Sequence, residues 1–244
     1  MEWRIQVAQA SRSGVLAALL AEQGVTGATL ALEGPAGLYR ALGVDTPELD
    51  LQVWRLDRVT FKPFPGCAIN QGPVFALLGL LDREEINFSD IAGVDVHLSP
   101  DQADYPGITN HGPFATPAGA VMSTAFMVSV ALRDRALLQR HFMREHADIQ
   151  INAWGNNVHV VSDSSLPIGA SQVILRLHGG RVLHEFCVDE KNFIFDWPQT
   201  VRLSVSVASE ISRTDGGDRI RRLAEAIEHS GATEVDHIVE CCML

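Results

Sequence analysis

Lys62 stands at the start of a loop whose composition would hold it rigid. The loop reads Lys62-Pro63-Phe64-Pro65-Gly66-Cys67, and its two prolines fix the backbone φ angle and exclude a helix. A preorganised ammonium group can hold a substrate carboxylate or stabilise a developing enolate. Burial of such a lysine would favour its neutral form and a role in proton transfer. From residue types alone, an ordinary surface lysine that follows a strand is the commoner explanation.

His111 is a second candidate for chemistry. It lies in the segment from Tyr105 to Pro117, which is rich in glycine and proline and is predicted to form a long loop. Loops carry functional residues more often than their share of the chain, and histidine exchanges protons near neutral pH. His111 is therefore a candidate catalytic residue, and a solvent-facing loop histidine is the alternative.

Four further residues could bind a carboxylate substrate. The amides of Asn70 and Gln71 can donate hydrogen bonds without charge, although Asn70 is also well placed to cap the helix that follows it. Cys67 could form a polar wall of the site or serve as a small buried hydrophobic residue. Arg12 could grip a carboxylate in a bidentate manner, or it could lie on a helix surface.

Metal-ligand spacing is missing from the sequence. His141 and His146 are five residues apart, so they cannot share one helix face as the two histidines of a zinc motif do. The four cysteines (Cys67, Cys187, Cys241 and Cys242) contain no C-x-x-C pair. We therefore expect no metal and no cofactor.

Composition restricts the function classes. Hydrophobic residues make up 46% of the 244 residues, and the formal net charge is −11. A nucleic-acid-binding protein usually has a basic face, so this acidic charge balance argues against nucleic-acid binding. No apolar run reaches the roughly 20 residues of a membrane span, and the start, Met-Glu-Trp-Arg, lacks the apolar core of a signal peptide. The cysteines lack the spacing of a disulfide framework, and reduced thiols are typical of the cytoplasm. We therefore expect a cytoplasmic protein, and the charge and hydropathy predict that it binds neither nucleic acid nor membrane.

Periodicity predicts an α+β protein. The predicted helices cover Gln9–Gln23, Leu30–Leu42 (interrupted at Glu33-Gly34-Pro35), Asn70–Leu81, Thr116–Leu132, Arg135–Phe142, Arg219–Glu228 and Val235–Met243. The predicted strands cover Arg55–Phe61, Ile91–Leu98, Asn157–Val161, Ser171–Leu177 and Arg181–Val188, with a hairpin turn at His178–Arg181. Residues Trp197–Ile211 fit either a strand or a helix.

The order of these elements predicts three segments. Residues 1–50 and 198–244 should be helical and pack together, and residues 51–197 should form an α+β lid with a mainly antiparallel sheet.

Three stretches together resemble the MmgE/PrpD family, which includes methylcitrate dehydratase, cis-aconitate decarboxylase and iminodisuccinate epimerase. They are the small-residue helix from Ala8 to Leu20 with Leu32-Glu33-Gly34-Pro35-Ala36-Gly37, the Lys62–Cys67 loop, and the proline loop from Asn110 that leads into the helix with Phe126 and Ala131. The resemblance implies a C-terminal half of that family, with the active site between a helical domain and a lid. It also implies small di- or tricarboxylate substrates, no metal, a homodimer, and a catalytic role for Lys62.

The sequence departs from the family pattern at three positions. Trp3 and Gln6 replace a lysine and a histidine near the start, and Gln71 replaces a histidine four residues after Cys67. The chain also has about half the family's usual length. We expect a lyase or isomerase that abstracts a proton next to a carboxylate, by dehydration, decarboxylation or epimerisation. Epimerisation needs only proton transfers and suffers least from these replacements. The alternative is a non-catalytic or split-enzyme subunit that needs a separate N-terminal helical partner.

Overall fold

The computed structural model describes residues 2–46, 52, 59–187, 190–211 and 214–229. Contacts divide the chain into two compact units, Met1–Asp57 and Arg58–Leu244. Among the described residues, no helix combines the length and the hydropathy that a membrane span requires.

The first unit contains one long helix. Helix α1 covers Glu2–Glu22 and α2 covers Leu38–Ala41. Helix α1 therefore begins before the predicted helix and ends one residue before Gln23, and Gly24 follows in a left-handed conformation (φ +85°). Residues 29–36 form turns and a bend that include the predicted interruption at Glu33-Gly34-Pro35, and only Leu38–Ala41 of the second predicted helix is helical.

The second unit is a mixed α+β body. Its helices are α3 (Gln71–Glu84), α4 (Pro100–Ala103), α5 (Pro117–Val121), α6 (Thr124–Asp134), α7 (Gln139–Arg144), α8 (Ile149–Trp154), α9 (Trp197–Ile211) and α10 (Gly216–His229). Its strands are β1 (Ile91–Leu98), β2 (Val158–Ser162), β3 (Ser171–Leu177) and β4 (Val182–Cys187). The segment Trp197–Ile211 is thus a helix. The predicted helix Val235–Met243 and most of the predicted strand Arg55–Phe61 lie outside the described residues, and residues 59–61 are not in a strand.

The four strands form one sheet in the order β2-β1-β3-β4. Strands β1 and β3 pair antiparallel, as do β3 and β4, while β1 and β2 pair parallel. The predicted α+β class with a mainly antiparallel sheet is confirmed. Val94 and Val96 of β1 are fully buried, and α3 and α6 pack together over the core that contains them.

Two predicted helices are interrupted. The prediction of one helix over Thr116–Leu132 is wrong at Met122 and Ser123, where α5 ends and Ser123 caps α6 by accepting a hydrogen bond from Phe126 N (3.0 Å). The predicted helix Arg135–Phe142 is wrong in its first half, because α7 begins only at Gln139. Arg135 has a positive φ of 49° and donates a hydrogen bond to Leu81 O (2.9 Å) at the end of α3.

A carboxylate joins the two last described helices to the rest of the unit. Glu210 of α9 accepts hydrogen bonds from Gln139 N (3.0 Å) and Arg140 N (2.7 Å) at the start of α7. These two N–H groups have no partner inside α7, and a negative charge is favourable at a helix N-terminus. Since α9 packs against α10, this single side chain helps to fix both helices.

Arg133 organises the connection between α6, α7 and α8. Its guanidinium contacts Asp134 (2.7 Å), Glu145 (2.7 Å) and Asp148 (3.3 Å). The hydrogen bond to Asp134 is the main reason that the pKa of Arg133 is raised, and the same bond lowers the pKa of Asp134. Asp148 in turn caps α8 by accepting hydrogen bonds from Gln150 N and Ile151 N.

His141 lies beside this cluster and is completely buried. Its Nδ1 accepts a hydrogen bond from Leu138 N (2.9 Å), and its Nε2 lies 3.0 Å from Asp134 Oδ2 without the alignment of a hydrogen bond. Burial is the main reason that the pKa of His141 is lowered. The neighbouring carboxylates raise this pKa and the neighbouring arginines lower it, each by a smaller amount. The ring is therefore neutral at pH 7, with its proton on Nε2.

Replacing Glu210 by alanine should destabilise the second unit. The start of α7 would lose its acceptor and its favourable charge, so we expect the free energy of unfolding to fall by about 1 kcal/mol, measured by urea denaturation. Glu225→Ala, an exposed change on α10, is the matched control and should stay within about 0.5 kcal/mol of the parent protein. Equal effects of the two changes would contradict the capping role.

His141 should make stability depend on pH. Because its pKa in the folded state lies below the ordinary 6.5, the unfolded chain binds a proton first as the pH falls. The free energy of unfolding should therefore decrease below pH 6.5 until the folded-state pKa is reached, by at most about 1.4 kcal/mol per pH unit. Urea denaturation from about pH 7.5 to 5 should show a shallower dependence in His141→Gln, while His178→Gln, at an exposed site, should keep the parent slope. Parallel curves for all three proteins would exclude His141 as the cause.

Candidate functional site

The Lys62 loop is braced by Gln71. Gln71 Oε1 accepts a hydrogen bond from Phe64 N (3.0 Å), and its Nε2 donates one to Cys67 O (3.0 Å). Gly66 turns the chain with φ +114°, and an added Cβ would lie 2.7 Å from the Met127 methyl group. The prolines predict a rigid loop, and the side-chain amide of Gln71, from the following helix, also holds it in place.

The Lys62 side chain is exposed on this loop. Its Nζ donates a hydrogen bond to Gly66 O (3.2 Å). An ammonium group has three donors, so the other two can reach a ligand. Cys67 is half-buried against the hydrophobic core and its N–H donates to Val121 O, a position that suits the small hydrophobic residue considered as its alternative.

Asn70 joins the lysine loop to the start of α6. It occupies the N-cap position of α3, but its side chain makes no capping hydrogen bond. Instead Nδ2 donates to Met122 O (3.2 Å), and Oδ1 accepts from Thr124 Oγ1 (2.8 Å). Asn70 and Thr124 are both fully buried. The capping role considered for Asn70 is thus replaced by a bridge across 54 residues of sequence.

The same residues hold the loop that carries His111. Thr124 N donates a hydrogen bond to Ile108 O (3.1 Å), and Ser123 Oγ donates to Asn110 O. Asn110 Oδ1 then accepts from Gly112 N (3.1 Å). The segment Met122–Thr124 therefore bonds Asn70 on one side and the segment before His111 on the other.

His111 is oriented by the backbone. Its Nδ1 lies 2.9 Å from Gly155 O, and a carbonyl oxygen only accepts, so Nδ1 carries the proton and donates it. The neutral ring then has a lone pair on Nε2. A histidine with one nitrogen anchored in this way can act as a general base at the other.

His111 lines a cavity of about 380 Å³ between its loop and α8. The other lining residues are Gly112, Pro113, Ala147, Ile149, Asn152, Ala153 and Asn156. Asn152 is locked, because its Nδ2 donates to His146 O (3.1 Å) and Asp148 O (2.8 Å). Lys62, Asn70 and Gln71 do not line this cavity. The predicted site residues of the second unit therefore form two groups, one around the lysine loop and one at the cavity, and Asn70 links the first group to the start of α6.

The predicted site residues thus have different surroundings. Lys62, Cys67, Asn70 and Gln71 surround one loop, while His111 lies in the cavity. Arg12 is exposed on α1 in the first unit. The amides of Asn70 and Gln71 are engaged within the protein, so any contact they make with a substrate would compete with these bonds. Their roles in binding, and those of Arg12 and Cys67, stay predictions.

Asp134, His141 and Glu145 place their ligand atoms within 4.8 Å of one another, which is a spacing that a metal ion could use. The chemistry of the set does not fit a metal, however. His141 Nδ1 accepts from Leu138 N, so the nitrogen that faces the carboxylates carries the proton and cannot act as a ligand. Arg133 already provides positive charge to both carboxylates. This cluster is an ion-pair network.

The sequence reasoning missed the residues that support the site. Ser123, Thr124 and Asn152 are ordinary polar residues in segments predicted as helix or left unassigned, and nothing in the local pattern distinguishes them. The one available signal was Asp148 before the apolar Ile149, which is typical of a helix N-cap. Thr124 depends on Asn70, a partner 54 residues away in sequence.

Comparison with known proteins identifies the family. The family model of the MmgE/PrpD C-terminal domain matches residues 64–202, which include the proline loop, Asn70, His111 and the whole sheet. A search of curated proteins finds no significant match. Because the matched region is more than half of the chain, this protein belongs to the MmgE/PrpD family.

Proposed function

We propose that the chain is the lid-bearing part of a lyase or isomerase that acts on a small di- or tricarboxylate in the cytoplasm. Membership of the MmgE/PrpD family supports this class. The observation that carries the proposal is the orientation of His111, whose Nδ1 is anchored on Gly155 O and whose Nε2 is left to accept a proton beside a cavity.

In this mechanism His111 Nε2 removes the proton next to a substrate carboxylate. The electron pair of the broken C–H bond moves into the carboxylate to form an enediolate, which the Lys62 ammonium would stabilise. If the enediolate turns its other face to the imidazolium before the proton returns, the product is the epimer. Departure of a β-hydroxyl group as water, with a proton from the imidazolium, gives dehydration. Decarboxylation would instead start from loss of CO2, and His111, first protonated from solvent, would protonate the resulting carbanion. All these steps use side chains alone.

Asn70 and Gln71 have a positioning role in the proposal. Gln71 holds the lysine loop through Phe64 N and Cys67 O, and Asn70 connects that loop to the segment before His111. Replacement of the family's usual histidine by Gln71 removes a proton donor but keeps a rigid loop. A reaction that needs one base and one cation fits these residues best, so epimerisation is the reaction that we favour.

A specific observation supports the alternative function of a subunit that needs a partner. The described side chains of α1, from Ile5 to Glu22, are all exposed, and they include large apolar residues. Those residues are Ile5, Val7, Val15, Leu16, Leu19 and Leu20. Exposed apolar patches of this extent usually mark interfaces, so we propose that the chain assembles with a second copy or with a separate helical half.

The enzyme proposal is tested with citrate, methylcitrate, cis-aconitate and iminodisuccinate. Binding is measured by thermal shift and titration, and proton abstraction by exchange of the substrate C–H for deuterium in D2O. We expect Lys62→Ala to weaken binding at least about 10-fold, with incomplete rescue by Lys62→Arg, whose planar guanidinium has a different reach. His111→Asn should keep binding and slow exchange by about 10²- to 10⁴-fold.

His178→Asn is the matched control for His111→Asn, since His178 is exposed on the turn between β3 and β4. It should leave binding and exchange unchanged. Binding that survives Lys62→Ala, or exchange that survives His111→Asn, would contradict the assigned roles. If none of the four acids binds, the subunit function replaces the enzyme.

The subunit proposal predicts an assembly in solution. Static light scattering at micromolar concentration should give a mass at least twice that of the 26.6 kDa chain. The double change Leu16→Gln and Leu20→Gln keeps helix propensity but removes apolar surface, so it should lower the mass toward the monomer. Leu42→Gln, at an exposed position outside α1, should not. A monomeric parent protein would contradict self-assembly, and a co-purifying helical half would then be required.

A further inference from the structure

Strand β4 leaves one edge of the sheet open. It is the last strand in the order β2-β1-β3-β4, and among the described residues no strand pairs with its outer side. Leu177 N donates a hydrogen bond to Arg181 O (2.9 Å), so these two residues form a hydrogen-bonded pair of the β3–β4 ladder. Because such pairs alternate along antiparallel strands, the N–H and C=O groups of Val182, His184 and Phe186 point away from β3. These groups form the open edge.

The usual protections of an open edge are missing from β4. Natural sheets blunt their edges with proline, with charged side chains or with a bulge. None of the three outward residues is proline, lysine, arginine, aspartate or glutamate, and the register between β3 and β4 is continuous, without a bulge. Val182 is 48% exposed and Phe186 is 53% exposed, so apolar side chains accompany the open backbone groups. An edge of this kind is a template for another strand.

The inner face of β4 is covered by its own chain. Helix α3 packs against the strand, and Leu183 contacts the hydrophobic core. Glu185 forms an ion pair with Arg83, and Arg181 forms one with Glu84. The charges on and beside β4 are therefore paired within the chain and do not repel an approaching strand. These contacts also fix β4 in place, which lowers the entropic cost of pairing.

The order of side chains along β4 is self-complementary in one antiparallel register. If His184 lies opposite His184 of a second copy, Val182 of each copy lies opposite Phe186 of the other. All three outward residues then form hydrogen-bonded pairs, and a shift by two residues would leave one of them without an outward partner. An aromatic residue opposite a β-branched residue is a favourable cross-strand pair. On the inner face Leu183 lies opposite Glu185, whose charge is already paired within its own chain.

We propose that β4 is an interface between two copies of this chain, which pair antiparallel about a two-fold axis at His184 and join their sheets into one. A single strand from each copy buries little surface, so the interface is weak by itself, with a Kd on the order of 10 to 100 μM. Its two-fold symmetry limits assembly through this edge to two copies. The interface is separate from the cavity and from α1, so its failure would leave the proposed function unchanged.

The test exchanges charges across the pair. Sedimentation velocity at about 200 μM, above the expected Kd, uses a chain that also carries Leu16→Gln and Leu20→Gln, so that association through α1 does not contribute. This chain should sediment as a dimer. Val182→Lys alone and Phe186→Glu alone should each raise the Kd at least about 10-fold, because a charge then replaces the apolar partner. The double variant should recover most of the affinity, since each new ammonium lies opposite a new carboxylate of the other copy.

Ile168→Lys is the matched control, since Ile168 is 71% exposed and lies outside β4; it should leave the Kd unchanged. Far-ultraviolet circular dichroism should show that every variant keeps its fold.

Amide exchange measured by NMR is the second readout. The amides of Val182, His184 and Phe186 should exchange more slowly as the protein concentration rises through the Kd. A chain that is monomeric at about 200 μM, or a double variant no better than the single ones, would overturn the interface. Protection that is the same at all concentrations would also overturn it, because a segment of the same chain would then cover the edge. Binding of the four carboxylic acids tests the proposed function independently of these outcomes.

Discussion

The buried side chain of Asn70 is the constraint on which the rest of the site depends. Its amide contacts Met122 O and Thr124 Oγ1, at the point where α5 ends and α6 begins. Leaving a buried amide without partners costs about 1–3 kcal/mol, so the break between the two helices and the position of the Lys62 loop are fixed together. Thr124 and Ser123 then carry the same restraint to the loop of His111. Two segments more than 40 residues apart are thereby held by one buried polar network.

The distribution of polar contacts explains which side chains remain for chemistry. The two amides that the sequence suggested as ligands are engaged within the protein: Gln71 by the backbone of the lysine loop, and Asn70 by Met122 O and Thr124 Oγ1. Lys62 and His111 each have one contact to a backbone carbonyl and keep further hydrogen-bonding capacity. Neutral side chains thus fix the backbone beside both Lys62 and His111 and leave the remaining hydrogen-bonding groups of these two residues available.

Charge is concentrated away from the cavity, in the network around Arg133. That guanidinium contacts three carboxylates from α6, the end of α7 and the start of α8, and the neutral His141 packs beside Asp134. The network fixes the helix that forms one cavity wall while leaving the cavity itself without permanent charge among the described residues.

The sequence by itself determined the elements whose signal is local. Alternating apolar residues predicted β1 and β3, the two prolines predicted the Lys62 loop, and the apolar stripe predicted α10. These signals are local, because hydrophobic periodicity and the φ restriction of proline act within a few residues. The order of the motifs also identified the family that the comparison confirms. The tertiary structure decided the parallel pairing of β1 with β2, the break at Met122, the left-handed Arg135 and the use of Asn70 as a bridge. Each of these depends on a hydrogen-bond partner dozens of residues away, and no local pattern contains that information.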